Sequence, residues 1–329
     1  MISLLALTII VLALSFDFIN GFHDSANSIA TIIATRTLRP GQAVILAGVA
    51  NFAGYFIFGI AIANTVGKGI VDVNYITLPL LFAALLGAII WNIITWLLGL
   101  PTSSSHALIG GLVGAGIAAA GMKAIILSGV IRIFSFIFVA PVIGAIGSVI
   151  LTIIVIRIFA KTNRFRAEWI LKKLQLVSST FLSLGHGTND AQKTMGIIAL
   201  VLLTAGVNST FQINEWVILS CFAAISLGTV FGGWRIVKTM GGKVTKIGPS
   251  EGFCTETASS IVLVGTAHLG IPVSTTHVIA GSIMGAGSVK GSKAVRWITA
   301  RRILLAWILT IPLTALCAAL CYWIFSIFI

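Results

Sequence analysis

Apolar residues follow one another in long runs along this chain, and short polar segments separate the runs. A buried strand needs only about four to eight such residues, whereas several of these runs reach the roughly 20 residues with which an α-helix crosses a bilayer. The pattern predicts an all-α polytopic membrane protein with six principal spans, at about residues 3–35, 43–64, 125–158, 174–205, 214–238 and 299–328. Two further apolar segments each turn at a short polar tip, and we predict helical hairpins there, at 78–121 and 250–289.

The composition agrees with this prediction. Of the 329 residues, 58% are hydrophobic and only 9% are charged, whereas about a quarter of the residues of a soluble protein are charged. A chain this apolar would expose large hydrophobic patches to water, so the bilayer is its expected solvent. The four cysteines lie in apolar segments without the paired spacing of a zinc site, and we assign them no role.

The basic residues indicate an orientation in the membrane. The formal net charge is +13, and 17 of the 21 lysine and arginine residues fall in four short segments, at 36–42, 157–173, 235–248 and 290–302. Because cytoplasmic loops carry an excess of lysine and arginine, we place these segments in the cytoplasm and both termini outside. The positive charge is therefore a topology signal, and we expect no nucleic-acid partner.

Two motifs recur in the second half of the chain in the same order. Residues 99–116 read GLPTSSSHALIGGLVGAG, and residues 270–287 read GIPVSTTHVIAGSIMGAG. About 80 residues before each of them, GFHD at 21–24 matches GTND at 187–190. Self-similarity of this kind predicts two structural repeats.

The repeats are expected at 1–158 and 179–329, joined at 159–178 by a cytoplasmic linker that forms a short amphipathic helix. Each repeat holds three spans and one hairpin, which we expect to be re-entrant. Since the number of crossings is odd, the second repeat must be inserted upside down. Inverted repeats with interrupted helices are typical of secondary transporters, whose site lies where the repeats meet near mid-membrane. The spaced glycines of both hairpins indicate close helix packing.

The first and fourth spans each contain a polar stretch, at 21–27 and 185–193. As one helix, 35 residues would measure about 52 Å, which exceeds the apolar core of a bilayer. We therefore expect each span to break at its polar stretch, with unwound backbone lining a polar cavity. Asp24 and Asp190 lie there at equivalent repeat positions. An ionised carboxylate at membrane depth usually marks an ion pathway, so both are candidate cation-binding residues.

Neutral oxygens near the two aspartates could complete the coordination shell of a sodium ion. Asn27, Asn189 and Gln192 supply them, although each could equally be a satisfied polar residue of the core. Glu256 lies inside the second hairpin without an evident local partner and is a further candidate for cation coupling. The structural alternative for the two aspartates is an ion pair with Lys193 or a helix-capping role.

The hairpin tips read PTSSSH at 101–106 and PVSTTH at 272–277. Proline ends the incoming arm, and hydroxyl residues are preferred where the outgoing helix begins. The first N–H groups of that helix lack intrahelical acceptors, and the helix dipole adds partial positive charge. Two such tips that face each other would bind a compact tetrahedral oxyanion. The candidate binding residues are Thr102, Ser103, Ser104, Ser105, Ser274, Thr275 and Thr276.

Each tip ends in a histidine, His106 or His277. The residues alone leave open whether these support binding or only orient the outgoing helix, and their number and spacing do not suit a metal site. A serine hydrolase is not expected, because serine and histidine would need a mutual hydrogen bond and an oxyanion hole. An inverted second copy of such a site would also have no catalytic rationale.

In these segments the sequence resembles the inorganic phosphate transporter (PiT) family. Six motifs carry the resemblance in the family's order, namely NGFHDSAN at 20–27, WN at 91–92, GLPTSSSH at 99–106, HGTNDAQK at 186–193, GFCTE at 252–256 and PVSTTH at 272–277. The chain lacks a large hydrophilic segment between its halves, and in this respect it is similar to compact prokaryotic members. Neutral Asn51 stands where some members carry an acid, which leaves the ion stoichiometry open.

The resemblance implies symport of inorganic phosphate with Na⁺ or H⁺ by alternating access, in the inner (cytoplasmic) membrane, without a cofactor or an enzymatic activity. It implies that the tip hydroxyls bind phosphate. It assigns the coupling cation to Asp24, Asn27, Asn189, Asp190 and Glu256. Of these, all but Glu256 are the residues expected to bind the cation if it is sodium. Supporting roles are expected for His106, His277, Asn92, Gln192 and Lys193. The expected partners are phosphate, the cation and the lipid bilayer, with a homodimer as an open alternative to a monomer.

Two alternatives to phosphate symport remain at this point. A second tetrahedral oxyanion such as sulfate would also fit hydroxyls and helix ends. A carboxylate beside the anion would favour phosphate, because it accepts a hydrogen bond from HPO₄²⁻ and repels sulfate. A passive anion channel is the other alternative, and two interrupted gates argue for alternating access instead.

Overall fold

The computed structural model describes residues 2–57 and 59–327. In this part of the chain the backbone is helical apart from turns, connections and one isolated bridge between Val71 and Ile125. The α-helices are α1 (Leu4–Ala34), α2 (Pro40–Ala53), α3 (Ala61–Gly69), α4 (Leu78–Leu98), α5 (Ser104–Ala120), α6 (Leu127–Phe159), α7 (Arg164–Thr204), α8 (Glu215–Phe231), α9 (Trp234–Lys238), α10 (Pro249–His268), α11 (Thr275–Ser288) and α12 (Trp297–Ser326). The predicted all-α class is confirmed.

Up to six membrane spans can be recognised by length and composition among the described residues. Four are single helices, α1, α4, α6 and α12. Two are bent pairs, in which α2 is followed by α3 and α8 is followed by α9 and a π-helical turn, with a bend of more than 40°. The predicted fourth span lies in α7, which has 41 residues but is more polar than these helices. The hairpins at 78–121 and 250–289 are formed by α4 with α5 and by α10 with α11.

Each repeat contains a broken helix, as predicted, but the position of the break differs from the prediction. The backbone of α1 is helical through 21–27 and that of α7 through 185–193, so neither is interrupted at its polar stretch. Polar side chains in these stretches find partners on neighbouring helices, and the backbone can keep its own hydrogen bonds. The breaks lie instead in the second span of each repeat. The linker prediction also changes, because residues 164–178 form the first part of α7 rather than a separate helix.

Side chains from the opposite repeat cap the helix that follows each break. The Gln192 amide oxygen on α7 accepts from the N–H groups of Ile62 and Ala63 at the start of α3, at 2.9 and 3.4 Å. The Ser25 hydroxyl on α1 accepts from the N–H of Gly233 before α9, at 2.5 Å. Helix starts leave N–H groups without intrahelical acceptors, and these contacts satisfy part of them.

The two repeats lie in opposite orientations and exchange contacts. Equivalent helices α1 and α7 run antiparallel, since the Ser179 hydroxyl reaches the carbonyl oxygen of Ser28 while His186 lies beside Asp24. The hairpin helix α5 packs on α12 of the other repeat, and α11 packs on α6. Both α6 and α12 contain an internal proline, Pro141 and Pro312, at matching points.

Glycines permit the close approach of the hairpin helices to α6 and α12. A Cβ atom on Gly114 would lie 2.0 Å from the Ala315 carbonyl oxygen, and one on Gly285 would lie 2.3 Å from that of Ala145. The glycines one turn earlier in both hairpins make equivalent contacts. The packing role predicted for these glycines is confirmed, and it is the same in both repeats.

Candidate functional site

Buried polar residues recur at every third or fourth position on the inner face of α1, at Asp17, Asn20, Asp24, Asn27 and Thr31. The antiparallel helix α7 carries a matching series, at Ser179, Ser183, His186, Asp190 and Lys193. Positions three and four apart share one face of a helix. The two polar faces therefore meet along the centre of the molecule, and both hairpin tips reach them there.

Asp24 lies on α1 against the first hairpin tip. Its Oδ1 is 2.6 Å from Nδ1 of His23, and its Oδ2 accepts a hydrogen bond of 2.8 Å from the Ser104 hydroxyl. The His23 ring is also 3.2 Å from the Thr95 hydroxyl on α4. All four side chains are buried. The carboxylate is thus fixed at the beginning of α5.

Asp190 occupies the equivalent place on α7 against the second tip. Its Oδ2 accepts from the Thr275 hydroxyl at 3.2 Å, which repeats the contact between Asp24 and Ser104. Its Oδ1 lies 2.5 Å from the Lys193 ammonium, and His186 Nε2 lies 3.2 Å from Oδ2. Asp190 therefore has a buried cationic partner on its own helix.

A second pair of contacts crosses between the repeats. The Asn27 amide donates to the Thr276 hydroxyl at 2.9 Å and to that of Thr275 at 3.1 Å. Its equivalent, Lys193, donates to the Ser105 hydroxyl of the first tip and to the Val273 carbonyl oxygen at 3.0 Å. Each tip is therefore bound by an aspartate of its own repeat and by a donor of the other repeat.

Three of these residues could hold a cation together. One potential ligand atom from each of Asp24, His186 and Asp190 lies within 4.8 Å of the others. The Asn27 and Asn189 amide oxygens are buried and accept no hydrogen bond from the described residues. Two carboxylates at this distance repel each other in a low-dielectric interior, and a bound cation would relieve the repulsion. Of the predicted cation ligands, Asp24 and Asp190 are therefore close together. Glu256 lies elsewhere, and the oxygen of the supporting candidate Gln192 caps α3.

The seven predicted tip residues divide into two groups. Ser104, Ser105, Thr275 and Thr276 point to the aspartates, to Asn27 or to Lys193. The others have structural partners: Thr102 donates to Thr95 at 2.9 Å, and Ser103 and Ser274 accept from the N–H groups of His106 and His277, each at 3.2 Å. Those two serines are the N-caps of α5 and α11.

The supporting candidates lie behind the tips or beside them. The rings of His106 and His277 meet edge to face with centroids 4.7 Å apart, and His277 stacks on Trp307 with centroids 3.8 Å apart. Asn189 donates to the carbonyl oxygens of Gly185 and Leu263 at 2.9 and 3.0 Å. Asn92 is buried on α4, and its amide bonds to none of the described residues. The histidine contact indicates that the two tips are packed against each other.

Glu256 belongs to a separate cluster. Its carboxylate accepts from the hydroxyls of Thr31 and Ser178, both at 2.6 Å, and from the Gln175 amide at 2.8 Å. Thr31 lies seven residues after Asp24, which corresponds to about 10 Å along the helix. The predicted coupling acid is thus buried and hydrogen-bonded, but it is not part of the cluster at the tips.

Sequence reasoning did not identify the partners of Glu256 or the place of His186 beside Asp190. The three- and four-residue spacing of polar positions on α1 and α7 carries this signal. It becomes informative once both helices are known to be continuous, because only then do these positions share one face.

The comparisons with known proteins identify the family of this chain. The family model described as the phosphate transporter family matches residues 20–318. The chain belongs to this family. This membership confirms the family that the sequence motifs suggested. It also confirms the prediction that the protein is a membrane transporter and not an enzyme.

Several relatives match nearly the whole chain. A protein of Rhizobium meliloti (strain 1021), described as a probable low-affinity inorganic phosphate transporter, is 51% identical over 315 residues, which cover 95% of this chain and 94% of the relative. One of Bacillus subtilis (strain 168) with the same description is 44% identical over 326 residues, 98% of each chain. A solved structure described as "The sodium-dependent phosphate transporter" aligns with a TM-score of 0.88 at 25% identity, over 99% of this chain and 100% of the other.

Proposed function

We propose that the protein is a secondary active transporter that carries inorganic phosphate together with a coupling cation. The family and the described activities of the relatives support phosphate as the substrate. The observation that carries the proposal is the twofold arrangement of the tips, in which Ser104 bonds to Asp24 and Thr275 bonds to Asp190. Two helix N-termini and two carboxylates meet there.

The phosphate would bind between the first turns of α5 and α11. Backbone N–H groups and helix dipoles at these ends attract an anion. The hydroxyls of Ser104, Ser105, Thr275 and Thr276 would turn from their present partners to the phosphate oxygens. Lys193 adds a buried positive charge that already contacts both tips, at Ser105 and at the Val273 carbonyl oxygen.

The neighbouring carboxylates favour phosphate over sulfate. At neutral pH phosphate carries at least one hydroxyl, which can donate to Asp24 or Asp190, whereas sulfate has no proton to donate. A buried acceptor without a donor costs about 1–3 kcal/mol, and more when it is charged. Both carboxylates already accept from tip hydroxyls, so they lie within reach of an anion that replaces those contacts.

The coupling cation would bind next to the anion at the oxygens of Asp24, Asn27, Asn189 and Asp190. Sodium is the cation that we favour, because the aligned solved structure is described as sodium-dependent. Glu256 with Thr31 and Ser178 is proposed as a second place for a coupling cation. A cation beside each carboxylate lowers the cost of burying its charge.

Alternating access would follow from the inverted repeats at 1–158 and 179–329. Each half contributes one tip, and each half also donates a hydrogen bond to the tip of the other half. A rocking motion of the halves against each other would therefore open the site to one side of the membrane or to the other. The location that we propose is the inner membrane, and the distribution of basic residues supports an orientation with both termini outside.

The test is uptake of labelled phosphate into proteoliposomes with sodium and pH gradients imposed separately. We expect an inward sodium gradient to drive accumulation and a pH gradient alone to have a small effect. Accumulation with the pH gradient alone would assign the proton as coupling ion. Equal uptake without any gradient would contradict symport, and equal inhibition by sulfate and by unlabelled phosphate would contradict the substrate.

A further inference from the structure

A cavity of about 350 Å³ lies on the lysine- and arginine-rich face of the molecule. The end of α4 with the turn at 97–100, the segment 235–243 that contains α9, and the first turns of α12 form its walls. None of its lining residues is acidic, and four are basic: Arg235, Lys238, Lys243 and Arg302. The cavity lies outside the cluster of the tips and the aspartates.

The positive charge in this cavity is not neutralised by the protein. Among the residues that the structure describes, none of the four basic side chains forms an ion pair, whereas Lys290 on the same face pairs with Glu251 at 2.9 Å. Four like charges around one cavity repel one another, and the repulsion is relieved when an anion binds.

Arg235 is held in place for such an anion. Its guanidinium lies 5.0 Å from the centre of the Trp96 ring, and Nη1 donates to the Leu97 carbonyl oxygen at 2.7 Å. Guanidinium has five N–H donors in a rigid plane, so further donors remain for a phosphate group. A side chain ordered in advance loses less entropy on binding.

The repeat fold does not require these charges. The Thr239 hydroxyl donates to the Gly99 carbonyl oxygen at 3.0 Å, and in the other repeat Thr65 makes the same contact with Gly270 at 2.8 Å. This correspondence places Ala61 and Asn64 at the positions of Arg235 and Lys238. The general excess of basic residues in cytoplasmic segments accounts for their presence on this face, but not for their convergence on one cavity.

One edge of the cavity is apolar and faces the lipid. Leu97 and Leu98 are 51% and 66% exposed, and Trp234, which precedes Arg235 in the chain, is 39% exposed. Tryptophan is enriched where a protein crosses the membrane–water interface. Basic pockets between membrane helices on the cytoplasmic side suit anionic lipid head groups. We propose that this cavity binds the phosphate of an anionic phospholipid, whose acyl chains lie against Leu97 and Leu98.

The test uses the full chain in detergent and native mass spectrometry with phosphatidylglycerol or phosphatidylcholine. Retention of phosphatidylglycerol should exceed that of phosphatidylcholine at least fivefold. The double variant Lys238→Gln with Lys243→Gln should lose most of this preference. The matched control, Lys161→Gln with Lys246→Gln, removes two exposed charges that do not line the cavity and should keep it.

The remaining outcomes decide against the proposal. An equal loss in the cavity variant and in the control would show attraction by overall charge rather than by this cavity. Displacement of the lipid by inorganic phosphate at millimolar concentration would assign the cavity to free phosphate. Since the readout is lipid retention, it does not depend on the outcome of the uptake experiment.

Discussion

Asn27 and Lys193 occupy equivalent positions in the two repeats, and each donates a hydrogen bond to the hairpin tip of the other repeat. The geometry of the two contacts is alike, but one donor is a neutral amide and the other an ammonium. The tips therefore meet two carboxylates, of Asp24 and Asp190, and the one ammonium of Lys193. These three groups sum to one negative charge when all are ionised, so one added cation would balance them before the anion binds.

This asymmetry predicts different effects on stability for the two aspartates. Asp190→Asn removes the partner of a buried ammonium, and breaking a buried ion pair from one side costs about 3–5 kcal/mol. Asp24→Asn leaves no lysine or arginine behind, because its contacts are to His23 and Ser104, and should cost about 1–3 kcal/mol. Thermal unfolding in detergent measures the difference, while both variants should lose cation-driven phosphate uptake.

The double variant Asp190→Asn with Lys193→Asn is the control for this explanation. It removes both charges and should recover more than half of the stability that Asp190→Asn loses, without recovering uptake. Equal destabilisation by Asp24→Asn and Asp190→Asn would contradict the role of the buried pair. Normal cation-driven uptake in either single variant would contradict the assignment of these carboxylates to coupling.

The tip hydroxyls should differ in their effect on phosphate affinity. Ser104→Ala and Thr275→Val each remove one hydrogen bond to a charged ligand, worth about 1.5–3 kcal/mol, and should raise the KM for phosphate at least tenfold. Thr102→Val is the matched control, because its hydroxyl donates to Thr95 and not to the centre. Uptake at varied phosphate and fixed saturating sodium measures these values. An equal rise of the KM in all three variants would contradict direct binding of phosphate by Ser104 and Thr275, because it would show that any change to the fold of the tips weakens binding.

Glu256 should affect the coupling cation more than phosphate, since its cluster is about 10 Å from Asp24 along α1. We expect Glu256→Gln to raise the half-saturating concentration of the coupling cation at least tenfold and to change the KM for phosphate less than twofold. Glu251→Gln is the control, because that acid on the same helix pairs with half-exposed Lys290. A larger effect of Glu256→Gln on phosphate than on the cation would place it in the anion site.

The spans, the hairpins and the repeat were predictable because their signals are local. Long apolar runs and a recurring motif do not depend on which helices become neighbours. The helix breaks were not predictable in the same way. A polar stretch such as 185–193 permits unwinding, but Asp190, Lys193 and Gln192 each find a partner on another helix, at Thr275, Ser105 and the start of α3, and α7 stays continuous.

The candidate site was predictable in its composition but not in its contacts. The motifs identified Asp24, Asp190 and both tips. Neighbouring hydroxyls nevertheless differ in role: Ser103 precedes the first turn of α5 and caps it, while Ser104 is the first residue of that turn and faces Asp24. The contact of Asn27 with Thr276 joins positions 249 residues apart, and only the packing of the two repeats brings them together.

The close packing of the hairpins against the opposite repeat predicts that replacing a single glycine at this contact lowers the stability of the protein. A methyl group on Gly114 would lie 2.0 Å from the Ala315 carbonyl oxygen, so Gly114→Ala must push α5 away from α12. Overpacking of this kind typically costs about 1–3 kcal/mol.

Gly265→Ala on α10 is the matched control, because an added Cβ there meets nothing within 4 Å and alanine favours a helix by about 0.8–1 kcal/mol. Thermal unfolding in detergent should therefore show a lower Tm for Gly114→Ala and an unchanged or higher Tm for Gly265→Ala. An unchanged Tm for Gly114→Ala would mean that α5 and α12 separate easily, which would argue against a rigid contact between the repeats at this point.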